Sequence, residues 1–273
     1  MVATNNRSVY KGSLVTIAPD GLMNLLPFSE AEHRVRRLQA WMQQASLDAV
    51  FVMQSADLYY FCGTIQRGLL CIPSSGNPVY LVNKSLSRAK MEAAWDAIVP
   101  MRKLEDARHI LQGEGLRGLR RVGLELDVIP AAIYLKLERI FPATEFVDAS
   151  GAIREIRMIK SSYEAGLVRK AAHMLLKAWR QVPEWLQPGI TELEALARME
   201  HFLRLQGHQG IQRTRGFNYE IGYGAFSAGP NACTPTSFPG STGFLGLYPA
   251  ISNAGSKQPL KPGEPILVDI AGA

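Results

Sequence analysis

The stretch Lys261-Pro262-Gly263-Glu264-Pro265-Ile266-Leu267-Val268-Asp269-Ile270 couples a turn to a short apolar strand with one carboxylate set inside it. Lys-Pro-Gly-Glu is turn chemistry, because proline presets φ and glycine accepts a positive φ. The Ile-Leu-Val run is β-branched and of strand length. On residue type alone, an Asp so placed serves more often as a loop or capping residue than as a metal ligand. Only Ala271, Gly272 and Ala273 follow the strand, whereas a buried strand is normally covered by a further element. A truncated chain is therefore expected.

Upstream, residues 210–255 are rich in Gly, Ser, Thr, Asn and Pro, a texture of irregular strands and broad loops of the kind that line a site. Before them come helix starts. Thr191-Glu192-Leu193-Glu194 and Ser161-Ser162-Tyr163-Glu164 each fit a capping box, in which the first hydroxyl and the fourth carboxylate satisfy each other's backbone amides. The helix after Ser161 is expected to run until Pro183 disturbs it, and the one after Thr191 to end near Gly207. A third box, Ser29-Glu30-Ala31-Glu32, predicts a helix with Val35, Leu38, Trp41, Met42 and Ala45 on one face.

Between the first and second boxes the pattern alternates. Ala49 to Met53, Leu58 to Cys62 and Gly68 to Ile72 read as strands, the last forming a hairpin with Pro78 to Val82 through Ser74-Ser75-Gly76-Asn77. Tyr59, Tyr60 and Phe61 are read as sheet packing. Ser85 to Ile98 reads as a helix, Val122 to Glu125 as a strand, and Pro130 as the opening of a helix reaching Phe141. This alternation predicts an α/β domain, and a boundary is expected near residue 150.

The 273 residues suit about two domains. With 47% apolar and 20% charged residues the composition is that of a globular protein, and no apolar run approaches the ~20 residues of a spanning helix. The first 28 residues lack a signal-peptide core, so a cytoplasmic location is expected. Cys62, Cys71 and Cys233 form no C-x-x-C pair and are read as small core hydrophobes. The net charge of +6 is spread over the chain, which argues against a nucleic-acid partner.

Taken together, several stretches resemble the creatinase, prolidase and aminopeptidase P family of pita-bread metallopeptidases. In the first half they are Leu47-Asp48-Ala49-Val50, Asp57 to Thr64 and Val122-Gly123-Leu124-Glu125. In the second they are Ile156 to Ser161 with Glu164, Pro188-Gly189-Ile190-Thr191-Glu192, Ala228-Gly229-Pro230-Asn231-Ala232, and Lys261 to Glu264 leading to Val268-Asp269. The resemblance implies an N-terminal arm over 1–28, a creatinase-like mixed-sheet domain over 29–150, and the first part of an α+β pita-bread domain over 151–273. It also implies two divalent metal ions, manganese, cobalt or zinc, held by two aspartates, a histidine and two glutamates. Two such cations would lower the pKa of a bridging water and stabilise the oxyanion of an attacked amide.

Asp269 stands where the family has its first metal ligand, and the other four positions lie beyond Ala273. The expectation is a two-metal Xaa-Pro aminopeptidase or dipeptidase in intact form, inactive as this chain alone and without stably bound metal. Its substrate would be a peptide, its assembly a homodimer. Thr236, in Pro235-Thr236, occupies a position where relatives that cleave beside proline carry histidine; it is the expected substrate-side residue, and it cannot shuttle a proton near neutral pH. The alternative is a non-catalytic pita-bread protein that binds peptides or protein partners. His33, His109, His173, His201 and His208 form no metal-ligand spacing. Glu192 and Glu194 are assigned to a helix start, and Lys160 to a structural role beside a cap.

Overall fold

A computed structural model describes residues 25–219, 221–237, 243–250 and 254–272. Residues 1–24, most of the expected arm, lie outside the described residues. The chain opens on α1 (Phe28–Gln44), β1 (Ala49–Val52), α2 (Ser55–Cys62), β2 (Gly68–Pro73), β3 (Val79–Val82), α3 (Leu86–Glu92) and β4 (Ile98–Pro100). It continues through α4 (Ala107–Gly113), β5 (Arg121–Leu124), α5 (Ala131–Ile140), β6 (Glu145–Asp148) and α6 (Ser150–Met158).

The six strands form one mixed sheet in the order β4-β3-β2-β1-β5-β6. β1–β2 and β2–β3 are antiparallel, whereas β3–β4, β1–β5 and β5–β6 are parallel. Every residue of β1, β2 and β3 is buried, which is why these strands read as continuous apolar runs and not as alternating ones. Val50, Val52, Leu70 and Ile72 face a core shared with α1, α2 and α6. Ala49, Phe51, Leu69 and Cys71 face the opposite core, under α4 and α5. The expected α/β domain and the β2–β3 hairpin are present.

Several local expectations are corrected. Leu58 to Cys62 belongs to a helix, α2. The Gln54 side-chain oxygen accepts from the amides of Ala56 and Asp57, and Gly63 closes the last turn at φ +83°. The five apolar and aromatic residues Leu58 to Cys62 carry no decisive period, and these two caps select the helix. Tyr60 and Phe61 are buried by it, and Tyr59 is exposed. α1 starts one residue early, with Pro27 before it and no side-chain cap; Glu32 pairs with Arg36 at 2.7 Å instead of closing a box. The helix expected over 85–98 stops at Glu92, residues 93–97 are irregular, and Ile98 opens β4.

The second half carries α7 (Ser162–Trp185), α8 (Glu192–Leu205), β7 (Gly224–Ala228) and β8 (Ile266–Ile270). Both capping boxes form as read, at Ser161–Glu164 and Thr191–Glu194. α7 does not stop at Pro183 but carries it two residues before its end. Only one intrahelical bond is lost there, and Val182 and Trp185 are buried against α8, with the Trp185 and Phe202 rings 5.7 Å apart. β7 and β8 pair antiparallel and lean on α7 and α8. Cys62 and Cys71 are core residues, but Cys233 is exposed. No helix among the described residues is long and apolar enough to cross a membrane.

Candidate functional site

Asp269 sits on β8 directly across from Ala225, and Val268 across from Phe226. Side chains alternate along a strand. Phe226, Val268 and Ile270 pack toward α7 and α8, so the half-buried Asp269 carboxylate takes the other face, together with Ala225, Leu267 and Ser227. The Ser227 hydroxyl is buried without a hydrogen-bond partner among the described residues. Beyond Ala228 the chain turns through the 3-10 segment Gly229–Cys233, and the half-buried Thr236 follows three residues later. Asp269 is therefore about 13 Å along the β7–β8 ladder from where that segment begins, at ~3.3 Å per residue.

That segment is fixed by Glu192, which is fully buried. Its Oε1 accepts from the Ala228 amide at 2.7 Å and Asn231 Nδ2 at 2.9 Å. Its Oε2 accepts from Asn231 Nδ2 at 2.6 Å, the Ser256 amide at 3.0 Å and Ser256 Oγ at 2.6 Å. A buried carboxylate persists only with such partners. Sequence reasoning treated Glu192 as a helix-start residue; Glu194 fills that role by closing the box on Thr191, and Glu192 ties α8 to β7, the 3-10 segment and residues 256–258.

A second polar centre went unread. Asp57, in the first turn of α2, is fully buried; its Oδ1 accepts from Arg157 Nη1 at 2.8 Å and its Oδ2 from Arg215 Nε at 2.6 Å. Arg215 also pairs closely with Asp127, which Arg154 reaches at 2.8 Å. Beside Asp57, the buried Glu125 accepts from the Met53 and Gln54 amides at 2.7 and 2.9 Å. Burial, with the Asp57 carboxylate next to it, pushes Glu125 up to about 8. Burial also pushes Asp127 upward, but hydrogen bonds from Arg215 and Ser150 outweigh it and leave Asp127 below its ordinary value.

The histidines do not gather. His208 is buried with its ring centroid 4.4 Å from that of Tyr223, and its Nδ1 accepts from the Gly210 amide at 2.8 Å. Burial and nearby Arg204 lower its pKa, so the ring is neutral near pH 7. Among the described residues no three His, Cys, Asp or Glu side chains converge so as to hold an ion. The residues present do not fit a two-metal centre, and no metal-dependent step is derived from this chain.

A mixed α/β domain thus leads into a two-helix layer packed on the β7–β8 pair. Residues 34–159 match the Creatinase/Prolidase N-terminal domain, and residues 166–273 match Metallopeptidase family M24. The chain belongs to this creatinase and prolidase family of metallopeptidases. It is 24% identical over 176 residues to a Xaa-Pro dipeptidase of Pyrococcus horikoshii, covering 64% of this chain and 48% of that protein. It is 26% identical over 256 residues to a probable dipeptidase PepE of Mycobacterium tuberculosis, covering 89% of this chain and 60% of that one.

The fold matches the prolidase from Pyrococcus furiosus with a TM-score of 0.69 at 19% identity, over 87% of this chain and 65% of that one. It matches the dipeptidase PepE from Mycobacterium ulcerans with a TM-score of 0.70 at 21% identity, over 92% and 62%. The chain spans about half the length of the Pyrococcus dipeptidases it matches.

Proposed function

We propose that this chain is the N-terminal domain and opening portion of the catalytic domain of a metal-dependent Xaa-Pro aminopeptidase or dipeptidase. The intact enzyme would use two divalent ions to hydrolyse an N-terminal peptide bond in the cytoplasm, and would act as a homodimer. Asp269 is its first metal ligand. The supporting observation is the placement of Asp269, whose carboxylate leaves the face of β8 opposite the core that holds Val268 and Ile270. Thr236 lines the substrate side, beyond the segment that Glu192 fixes. Residues 1–273 alone are inactive, because one carboxylate does not make a two-metal site. The chain divides into two units near residue 150.

The test is manganese-, cobalt- or zinc-dependent cleavage of an Xaa-Pro dipeptide by the full-length gene product. Activity that disappears in Asp269→Asn, and is absent from residues 1–273, is the expected result. Full activity in Asp269→Asn, or none in the full-length protein with any of the metals, overturns the proposal. The second outcome favours the non-catalytic peptide-binding reading, which rests on Thr236 standing where proline-directed relatives carry an imidazole.

A further inference from the structure

The segment from Gln206 to Tyr223 leaves α8, crosses to the N-terminal domain and returns to start β7. Its near end is sewn to the end of β8. Gln212 Nε2 donates to the Gly272 carbonyl at 3.0 Å, the Ala271 amide donates to the Tyr223 carbonyl at 2.6 Å, and Gln212 pairs with Ile221 across the base. Its far end is sewn to the first domain. Arg215 meets Asp57 at 2.6 Å and pairs with Asp127, while Gln54 Nε2 donates to the Thr214 carbonyl at 3.2 Å.

These far-end contacts are not loose surface pairs. Asp57 is fully buried and the Arg215 side chain is 11% exposed, so screening by solvent is slight and the pair must hold its geometry to offset desolvation. The guanidinium serves two carboxylates from two elements, α2 and the loop after β5, which a point-charge ammonium cannot match. Gln54 caps α2 with its oxygen and holds the strap with its nitrogen, so the start of α2 and the tip of the strap share one side chain.

We propose that Arg215 and Asp57 are positioning residues: through the strap 206–223 they let the N-terminal domain hold the end of β8, and with it the backbone on either side of Asp269. The geometry alone carries the mechanical link; its meaning for metal binding rests on Asp269 being a ligand. The partner classes are internal, a guanidinium from the second half docked on a buried carboxylate of the first. Neither Arg215 nor Asp57 touches the β7–β8 hairpin directly by any contact described here, which is why the strap is required.

Hydrogen exchange of the 273-residue chain, followed by mass spectrometry, tests the link without any activity assay. In Arg215→Gln, peptides covering 210–223 and 266–272 are expected to exchange about tenfold faster, while β1 and β2 keep their protection. Arg215→Lys is the second variant; it keeps the charge without the fork and is expected to loosen the same two peptides to a smaller degree. If Arg215→Gln unfolds globally, the Lys variant decides. Faster exchange in 210–223 with 266–272 unchanged overturns the proposal, as does no change in either. Loss of peptidase activity in the full-length Arg215→Gln protein, with unaltered exchange in the 273-residue chain, would count against the strap and leave the enzymatic reading standing.

Discussion

Gly224 approaches Asp269 so closely that a β-carbon added to it would lie 2.0 Å from the Asp269 carbonyl oxygen. Its φ of +135° is one that side-chain-bearing residues rarely adopt. Backbone contact and dihedral together make this glycine the condition for the β7–β8 ladder at the candidate ligand. Gly224→Ala is expected to destabilise the second half by about 3 kcal/mol, read as a lower urea midpoint. An unchanged midpoint would mean that the ladder relaxes freely at this position.

Glu192 predicts a sharp contrast with its neighbour. Glu192→Ala leaves the Ala228 amide, Asn231 and Ser256 without their shared acceptor, and should cost about 3 to 5 kcal/mol. Thr191→Ala removes only the cap hydroxyl that bonds the Glu194 amide and should cost about 1 kcal/mol. Chemical denaturation of both variants tests the ranking, and equal losses would reduce Glu192 to a helix-start residue.

Glu125 makes stability depend on pH in a stated direction. Its folded pKa of about 8 lies above its ordinary value of 4.5, so the folded chain retains a proton that the unfolded chain has released. The favourable state is complete below the unfolded value and is lost as pH rises through that interval toward 8. Glu125→Gln is expected to flatten urea stability between pH 5 and 8. Identical slopes for both proteins would place the proton elsewhere.

Thiol labelling should separate the three cysteines. Burial pushes Cys62 up to about 12 and raises Cys71 as well, whereas Cys233 is exposed. A thiolate-selective reagent at pH 8 should modify one residue per native chain, Cys233, and all three after denaturation. Rapid native labelling of Cys62 or Cys71 would contradict the packed cores on the two faces of the sheet.

Much of the fold was legible because its signals are local. The Ser161 and Thr191 boxes act over three residues, and the β2–β3 hairpin closes through a short turn, so the amino-acid order states them directly. α2 was misread because its decision lies in Gln54 and Gly63, outside the apolar run. The roles of Glu192 and Asp57 lay further off. Glu192 finds its partners 36 to 64 residues away and Asp57 finds Arg215 158 residues away, distances at which no spacing rule operates. Asp269 was singled out by the family resemblance; its turn-and-strand setting gave only the strand, which is β8.

The place of β1 in the sheet also sets an order of events during synthesis. β1 pairs with β2, which follows closely, and on its other side with β5, whose residues come about seventy positions later. The β2–β3 hairpin can form as soon as it leaves the ribosome, but the sheet stays open along β1 until β5 has emerged. During that interval Ala49, Val50 and Phe51 present an unpaired edge. A nascent chain halted before β5 is thus expected to depend on chaperones, and one halted after β6 to release them.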